Sequence, residues 1–507
     1  MIPSAISWYF KQRHVELWRL AMDAENQQRE LFDYFTRILG RTEYGEKYQI
    51  KAGDSYDEFS QKLPIIGYEE LKPFIKRSME GEIGLIWPSE ITWFAKSSGT
   101  TSNESKFIPI TYEAMEYTHF KGSKEPLTQH FHFNPNSRLF EGKGLLIGGS
   151  NTISQTNENV FVGDLSAVLM AHLPSWANWK STPDIEIATL PNWEEKLERM
   201  AHATKDENVT SISGAPTWTM VLIQRILEIT KADNIHEVWP NLELFIHGGM
   251  SFEPYKAIFQ KLAPSTQMRY IETYNASEGF FGVQAYEHQS EMLLTTHHGV
   301  FYEFYPVTKG PDFAIPLWEV EPGIQYAVVV TNNSGLWRYA IGDTIVFTQT
   351  PGANFDAPYL FRFSGRTKLF INAFGEELIM ENAETAVSHV CGNLNLELVD
   401  YTAAPCFEKG QEGHEWIFEF KVPPSDLEHF RKELDLALKS VNSDYEGKRV
   451  GDLLMKPPKV IIAPNLTFHN WLKMKGKLGG QNKVPRLRND RQIIEEVLSL
   501  LKSNGYF

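Results

Sequence analysis

The chain has 507 residues, 42% hydrophobic and 13% aromatic, a composition that can bury a large core and excludes general disorder. One hydrophobic core rarely covers this length, so at least two domains are expected. The net charge of −15 argues against general binding to nucleic acid or anionic membranes. Cys391 and Cys406 form neither a metal-binding cluster nor a disulfide framework, and are expected to be buried thiols in a reducing compartment.

The first predicted element is an amphipathic helix near the N-terminus. Trp8, Val15 and Trp18 are expected on its apolar face, docked on the body of the protein. The charged Lys11 and Arg13 come too early for the core of a signal peptide, and no later run approaches membrane-spanning length. We therefore expect a cytoplasmic protein with no membrane partner.

Several short apolar runs further along end in small or polar residues, which is typical of strands in an α/β sheet. Such runs end near Ser150, Ser251 and Gly282. Another run, ending at Ser213, is followed by a Gly-Ala-Pro turn and an apolar-periodic stretch that predicts a helix. The ends of strands in open α/β sheets are the usual place for ligands.

The pattern changes from Gln325 onward, where β-rich segments dominate and are followed by a strand-helix-strand pattern. We place a domain boundary near Gly365. The predicted fold is α/β, with a large N-terminal α/β domain over residues 1–365 that includes a β-rich part. A smaller C-terminal α+β domain is predicted over residues 366–507.

A short polar loop interrupts the apolar sequence after Trp93. Its small donors and its cation are Ser97, Ser98, Gly99, Thr100, Thr101 and Lys106. Hydroxyl groups, a closely approaching backbone and a lysine together suit a phosphate. The nucleoside-triphosphate loop of the Gly-x-x-x-x-Gly-Lys type is absent, and the composition of the loop alone favours a solvated Ser/Thr loop over phosphate binding.

Three residues downstream offer companion chemistry at the ends of predicted strands. Tyr274 can present a flat face to a purine, and Glu278 can bind Mg²⁺ directly or through water. Asp343, after Gly342 between two β runs, can accept from both hydroxyls of a ribose. Each motif alone is also compatible with an ordinary turn.

Two basic residues complete the candidate set. Arg366 lies at the presumed domain edge, where its guanidinium can reach a nucleotide while the segment turns as a hinge. Lys483 lies in a glycine-flanked basic loop near the C-terminus, and a solvated charge cluster is its alternative interpretation.

The order of these motifs is more specific than any one of them. A hydroxyl-rich loop with a lysine, Tyr-x-x-Ser-Glu-Gly, Tyr-x-x-Gly-Asp, an arginine at a hinge and a late lysine follow one another as in adenylate-forming enzymes. More narrowly, the chain resembles the Gretchen Hagen (auxin-responsive promoter) acyl acid amido synthetases, in a compact bacterial-type version. The resemblance extends over nearly the whole chain, from "LPIIGYEELKPFIKR" to "GGQNKVPRLRNDR".

The resemblance implies a large domain that binds ATP, Mg²⁺ and a carboxylic acid, and a small domain that swings between two half-reactions. Carried onto matching positions, the hydroxyl-bearing residues of the polar loop line the phosphates. Tyr274, Ser277 and Glu278 then hold adenine, α-phosphate and Mg²⁺, and Asp343 holds the ribose. Lys106, Arg366 and Lys483 supply positive charge to the nucleotide or to the reacting groups.

The expected reaction activates the acid as an acyl-adenylate and transfers the acyl group to an amine, most simply an amino acid. An acid–thiol ligase that uses coenzyme A shares the first half-reaction and stays open as an alternative. A non-catalytic nucleotide-binding relative is the alternative from another class, because fold does not fix function. The sequence does not predict an oligomeric state.

Overall fold

The computed structural model describes most of the chain and divides it into two compact units. The described residues are 2–97, 106–148, 153–157, 159–173, 175–190, 192–248, 252–352, 357–367, 370–371, 373–374, 376, 378–408, 411–449, 452, 455–478, 483–488, 490–503 and 505–506. Unit 1 comprises Met1–Met250 and Ala263–Arg362. Unit 2 comprises Ser251–Leu262 and Phe363–Phe507. The domain boundary predicted near Gly365 stays a prediction about the functional domains.

Helices form the outer elements of both units. Those of unit 1 are α1 (Ile2–Met22), α2 (Ala24–Leu39), α3 (Glu43–Lys47), α4 (Tyr56–Lys62), α5 (Tyr68–Met79), α6 (Glu125–Phe133), α7 (Leu165–Ala171), α8 (Ser175–Trp179), α9 (Ile185–Ala188), α10 (Trp193–Thr204), α11 (Pro216–Thr230) and α12 (Ile235–Val238). Those of unit 2 are α13 (Glu253–Leu262), α14 (Met380–Asn393), α15 (Leu427–Val441), α16 (Ser443–Arg449), α17 (Thr467–Met474) and α18 (Gln492–Ser503). A π-helix spans Ala114–Phe120, and short 3₁₀ turns span Leu139–Glu141, Pro311–Phe313 and Leu317–Glu319.

Strands, together with helices, supply the buried cores of the two units. They are β1 (Trp93–Ser97), β2 (Lys106–Ile110), β3 (Lys143–Leu146), β4 (Ser154–Asn157), β5 (Val160–Gly163), β6 (Ser181–Thr182), β7 (Val209–Ser213), β8 (Leu244–Gly248), β9 (Arg269–Ala276), β10 (Gly279–Gln284), β11 (Met292–Leu294), β12 (Val300–Pro306), β13 (Ile315–Pro316), β14 (Gln325–Asn332), β15 (Tyr339–Gln349), β16 (Leu360–Arg366), β17 (Phe370–Ile371), β18 (Leu378–Ile379), β19 (Leu398–Cys406), β20 (Gly413–Phe420) and β21 (Lys459–Ala463).

The main sheet changes from parallel to antiparallel pairing in its middle. Its order is β13-β12-β14-β15-β16-β11-β10-β9-β8-β7-β3-β6. The strands from β6 to β9 pair in parallel, whereas β9 and β10 form an antiparallel hairpin. A second sheet in unit 1 has the order β2-β1-β5-β4. The predicted Tyr-x-x-Ser-Glu motif thus lies at this switch point between the two kinds of pairing, at the carboxyl end of the parallel strand β9, and ligands of α/β sheets commonly bind outside such strand ends.

Unit 2 is a small α+β body. Its three-stranded sheet has the order β19-β20-β21, with β19 and β20 antiparallel and β20 and β21 parallel. Phe418 and Phe420 of β20 pack edge-on against Phe430 of α15 inside this core. Cys391 and Cys406 are buried free thiols, as predicted. The prediction of a large α/β domain followed by a smaller α+β domain is confirmed.

The predicted N-terminal helix exists, and its buried face was predicted only in part, since Trp18 is half-buried and its ring lies against Tyr286. Trp8 and Val15 are 64% and 65% exposed, whereas Phe10, Leu17 and Ala21 are buried. Helical periodicity places all three buried residues on one face. Trp8 and Val15 were predicted to be buried because they are large and apolar, and for these two residues the prediction is wrong. Among the described helices, none is both long and apolar enough to cross a bilayer.

A buried ion pair fixes the start of β15. The Arg338 side chain donates to both carboxylate oxygens of Glu303 at 2.7–3.0 Å, and to the carbonyl oxygens of Ser60 and Leu63. The Tyr56 hydroxyl donates to the same carboxylate at 2.9 Å. Arg338 also has a positive φ of 41°, an uncommon conformation that these contacts hold in place.

We expect Arg338→Met to destabilise unit 1 strongly. The substitution leaves the Glu303 carboxylate buried without its cation, which costs about 3–5 kcal/mol in comparable pairs. Arg225, which pairs with Glu198 and Glu228 at the surface, is the matched control, and Arg225→Met should cause only a small loss. Urea denaturation of both variants measures the difference. Equal losses would show that the buried pair has no special weight.

Candidate active site

Tyr274 and Asp343 meet inside unit 1. The Tyr274 hydroxyl donates to Asp343 Oδ2 at 2.7 Å, and the two residues are only 8% and 4% exposed. The Phe281 ring packs against Tyr274 with a centroid distance of 4.9 Å. Two predicted site residues from distant parts of the sequence are therefore brought into direct contact.

A β-bulge delivers the Asp343 side chain. The sequence pattern predicts Gly342 and Asp343 between two β runs, but β15 is one continuous strand. Ala340 pairs with Val329 and Thr344 pairs with Ala327, so β15 carries extra residues opposite Val328. Gly342 sits in this bulge with φ 85°, a conformation that glycine adopts without steric strain.

Glu278 and Tyr339 lie beside this pair. Burial raises the pKa of the Tyr339 phenol well above its usual value, and the neighbouring acidic groups of Glu278, Tyr68 and Asp343 raise it further. The Tyr339 hydroxyl is buried and has no hydrogen-bond partner among the described residues. The turn that carries Glu278 is fixed by Asn332, whose amide donates to the Glu278 carbonyl oxygen at 2.6 Å. The Tyr339 hydroxyl, near the carboxylates of Glu278 and Asp343, is therefore a group that a bound ligand could hydrogen-bond.

Ser277 precedes Glu278 in the same β9–β10 turn and is buried. This places it with Glu278 at the switch point of the main sheet, next to the strand that carries Tyr274. The Tyr-x-x-Ser-Glu motif therefore forms one structural unit, a strand end and the turn that follows it.

The polar loop joins the two strands of a hairpin. Ser97 pairs with Lys106 across β1 and β2, and the side chain of Ser97 is not described. Ser98, Thr100 and Thr101 lie outside the described residues. Lys106 Nζ is 5.9 Å from the ring centroid of Tyr68, whose hydroxyl accepts from the Phe107 amide at 2.9 Å. Tyr68 thus lies near Lys106, and it is also one of the groups that raise the pKa of Tyr339.

Sequence reasoning missed a buried charge pair close to the same hairpin. Asp164 follows β5, which runs parallel to β1 beside Ala95, and burial raises its pKa to about 6 against the opposing charges of Lys96 and Lys196. Burial lowers the pKa of Lys196 to about 8, and the Asp164 charge opposes that shift. Lys196 Nζ donates to the Gly148 carbonyl oxygen at 2.9 Å. Perturbed buried groups of this kind cluster at functional sites.

Nothing in the sequence marks Lys196 as special. It occupies the helix α10, whose sequence "WEEKLERMAHAT" is that of an ordinary charged amphipathic helix. The sequence around Asp164 indicates only a helix N-cap, because an aspartate between a short apolar run and a helix is typical of that position.

Arg366 and Lys483 belong to unit 2. Arg366 is the last residue of β16 and is partly buried. Lys483 is also partly buried and follows residues 479–482, which lie outside the described part. Their predicted roles toward the residues of unit 1 stay predictions.

The segment after Lys483 is anchored by a buried arginine. Arg486 donates to Glu384, to the Tyr255 hydroxyl and, at 3.1 Å, to Asp400. The backbone continues as a bridge to β19, where the Ala403 amide donates to the Arg486 carbonyl oxygen at 2.7 Å. Within unit 2, Lys483 is therefore three residues from a fixed point, which limits where its side chain can reach.

Two plant proteins are similar to this chain over nearly its whole length. It is 26% identical to jasmonoyl–L-amino acid synthetase JAR4 of Nicotiana attenuata, over 96% of this chain and 94% of that protein. It is 25% identical to indole-3-acetic acid-amido synthetase GH3.3 of Arabidopsis thaliana, over 92% of this chain and 91% of that protein.

Solved structures share the fold at lower identity. The GH3.15 acyl acid amido synthetase superposes with a TM-score of 0.77 at 17% identity, covering 96% of both chains. A 2-hydroxyisobutyryl-CoA ligase in the postadenylation state has a TM-score of 0.60 at 13% identity, covering 96% of this chain and 93% of that one.

Three consecutive regions match the domains of a single family. Residues 13–268 match the GH3 family N-terminal domain, residues 293–366 the central domain, and residues 381–492 the C-terminal domain. The matches follow one another in chain order and together span most of the sequence. The chain therefore belongs to the GH3 family, as its motifs predicted.

Proposed function

We propose that this protein uses ATP to activate a carboxylic acid and then joins the acid to an amine. In the first half-reaction a carboxylate oxygen attacks the α-phosphorus of ATP and pyrophosphate leaves. In the second, an amine attacks the acyl carbon, an amide bond forms, and AMP leaves. The protein would accordingly be a ligase, an acyl acid amido synthetase of the adenylate-forming type.

The observation that carries the proposal is the buried contact between Tyr274 and Asp343. Beside it lie Glu278 and the Tyr339 hydroxyl, which has no hydrogen-bond partner in the part of the chain that the structure describes. An acceptor carboxylate, an aromatic ring and a second carboxylate suit a ribose, a purine and a magnesium ion. A bound nucleotide would also satisfy the Tyr339 hydroxyl. These residues therefore fit ATP with Mg²⁺.

Roles for the individual residues follow from their chemistry. Asp343 would accept from the ribose hydroxyls while Tyr274 keeps its carboxylate oriented. Ser97, Ser98, Thr100 and Thr101, with Lys106, would surround the phosphates, and Ser277 would lie toward the α-phosphate. We add Lys196 to this set, because its buried ammonium group donates to the carbonyl oxygen of Gly148, shortly after β3, and the Asp164 charge acts on it.

Glu278 would hold Mg²⁺, directly or through water. When bound, the ion would neutralise part of the charge that develops on the phosphate oxygens. The chain's own contribution is to hold the Glu278 backbone through Asn332 and to bury the carboxylate beside Tyr339, away from bulk water. A cation bound at such a place acts in a low-dielectric setting, where electrostatic stabilisation is strong.

Residues 366–507 would form the mobile small domain, with Arg366 near its hinge and Lys483 as a removable cation. A lysine that approaches only during adenylation would stabilise charge between the acid and the α-phosphate. It would then withdraw when the amine enters. The predicted cytoplasmic location belongs to the same proposal.

The acceptor is proposed as an amino acid on the strength of the relatives, one of which is named a jasmonoyl–L-amino acid synthetase and another an indole-3-acetic acid-amido synthetase. Coenzyme A is the competing acceptor, because a CoA ligase shares the fold. The acid itself is proposed only as a small organic carboxylic acid.

We expect AMP and pyrophosphate, rather than ADP and phosphate, when the protein is given ATP, Mg²⁺ and a panel of aromatic and aliphatic acids. The reason is that attack at the α-phosphorus releases pyrophosphate. Product nucleotides are resolved by chromatography, and amide products by mass spectrometry.

Amino acids and coenzyme A are offered in parallel in this assay. A thioester in place of an amide would assign the protein to the thiol ligases. ADP as the product would contradict adenylation, and no pyrophosphate exchange with any acid would support a non-catalytic relative.

We expect Asp343→Ala to weaken ATP binding by about 1.5–3 kcal/mol, because the ribose loses a charged acceptor. Tyr274→Phe is the matched variant, since it removes the hydrogen bond to Asp343 but keeps the aromatic face and the carboxylate. Its loss should be smaller, about 1 kcal/mol. Isothermal titration calorimetry measures both. Unchanged affinity in a folded Asp343→Ala protein would remove this residue from the site.

We expect Lys483→Ala to slow adenylate formation by about a hundredfold or more, the scale for one preorganised donor in a transition state. The same variant should convert a synthetic acyl-adenylate to amide at nearly the normal rate. Lys477→Ala, in the same connection between α17 and α18, is the control and should leave both steps unchanged. Equal losses in the two half-reactions would assign Lys483 a general structural role instead.

A further inference from the structure

A second cluster of ligand-type side chains lies in unit 1, outside the residues assigned above. Glu125 is the first residue of α6, and His297 and His298 form the turn between β11 and β12. One ligand atom from each of the three residues can be chosen so that all lie within 4.8 Å of one another. A carboxylate and two imidazoles from distant parts of the sequence thus converge on one point.

One spacing within the cluster matches that of two atoms bound to the same ion. His298 Nε2 is 3.2 Å from Glu125 Oε1, yet the two atoms do not form a hydrogen bond. A tetrahedral ion with nitrogen and oxygen ligands at about 2.0–2.1 Å holds those ligand atoms about 3.3 Å apart. The observed separation is close to that value.

Several of these atoms are buried without a partner. Glu125 and His298 are 1% and 0% exposed at their side chains. Within the described part of the chain, Glu125 Oε2, both ring nitrogens of His298 and His297 Nδ1 have no hydrogen-bond partner. Leaving so many polar atoms unsatisfied in a protein interior is expensive, so a group that coordinates them would be strongly favoured.

The surroundings hold the cluster in place. The Arg13 side chain, from α1, donates to Glu125 Oε1 at 2.5 Å. Thr118 Oγ1 donates to the His298 carbonyl oxygen at 2.6 Å, and Lys121 Nζ donates to the His297 carbonyl oxygen at 3.1 Å. These contacts hold the backbone of the β11–β12 turn and the Glu125 carboxylate in fixed positions.

We propose that Glu125, His297 and His298 bind one divalent transition-metal ion of the zinc class. Two imidazoles and a carboxylate are a common ligand set for such ions. The positive charges of Arg13 and Lys121 disfavour an ion held mainly by charge, such as Mg²⁺ or Ca²⁺. An ion that forms strong bonds to imidazole nitrogen tolerates them better.

The bound ion would have a stabilising role. It would join the start of α6 to the β11–β12 turn, and through Arg13 it would also tie in α1. The site is separate from the proposed Mg²⁺ site at Glu278, so it does not depend on the proposed reaction.

The test uses the full-length protein, stripped with a chelator and dialysed, with no nucleotide present. Zn²⁺, Co²⁺ and Mg²⁺ are titrated separately, and bound metal is measured by elemental analysis and by the visible absorption of Co²⁺. We expect one Zn²⁺ or Co²⁺ per chain, a higher melting temperature with Zn²⁺, and no such response to Mg²⁺.

His297→Gln is the first variant, because His297 is partly exposed and its replacement should be tolerated. We expect it to weaken Zn²⁺ binding by about a hundredfold or more, beyond the 10- to 100-fold effect of losing an outer-shell partner. Should it fail to fold, Glu125→Gln of nearly the same shape replaces it. His119→Asn controls for loss of another buried histidine, and His288→Gln for binding by an exposed one.

Stoichiometric Zn²⁺ binding that is lost in His297→Gln or Glu125→Gln and kept in both controls supports the site. Binding that survives the cluster substitutions, or that is lost in His288→Gln, overturns it. So does a stripped protein that takes up no Zn²⁺ or Co²⁺, or one that responds equally to Mg²⁺.

Discussion

The buried pair between Arg338 and Glu303 is the interaction on which the candidate site depends. It sets the position at which β15 begins, and Tyr339 and Asp343 lie one and five residues further along that strand. Charged groups in an interior are stable only when their partners are fixed, so this pair tolerates little movement. The same strand start is also held by Ile66, which bridges to Tyr339. A rigid strand start is what allows a bulge only a few residues later to aim a carboxylate reliably.

The bulge at Gly342 and the contact between Tyr274 and Asp343 depend on each other. Three residues of β15, 341–343, lie opposite Val328 alone, so the strand leaves its regular pleat at this point. The bulge therefore sets the local direction of the Asp343 side chain, and the Tyr274 hydroxyl then fixes the carboxylate there. The preorganised acceptor and the buried Tyr339 hydroxyl together resemble a site shaped for its ligand before the ligand arrives.

The sequence was sufficient for the order of motifs, the α/β class and the strand-turn-helix unit that begins at Val209. The α/β class and the strand-turn-helix unit rest on local apolar periodicity and turn residues, whereas the order of motifs was recognised through resemblance to a family. The bulge, the buried face of α1 and the role of Lys196 were missed. Each depends on which distant segment packs nearby: Val328 opposite the bulge, and the Gly148 carbonyl oxygen at Lys196. The pattern of side chains along one segment does not indicate which distant residues it will contact.

The helix α13 has a practical consequence for dissecting this protein. It lies between β8 and β9 in the sequence, yet Tyr255 belongs with Arg486 and α14 in unit 2. A C-terminal fragment cut at Phe363 would carry Arg486 without the Tyr255 hydroxyl and would expose the face of α14 that α13 covers. Such a fragment should be poorly soluble, whereas appending residues 251–262 through a designed linker should restore it. Unit 2 is thus a folding unit that no single cut in the gene can isolate.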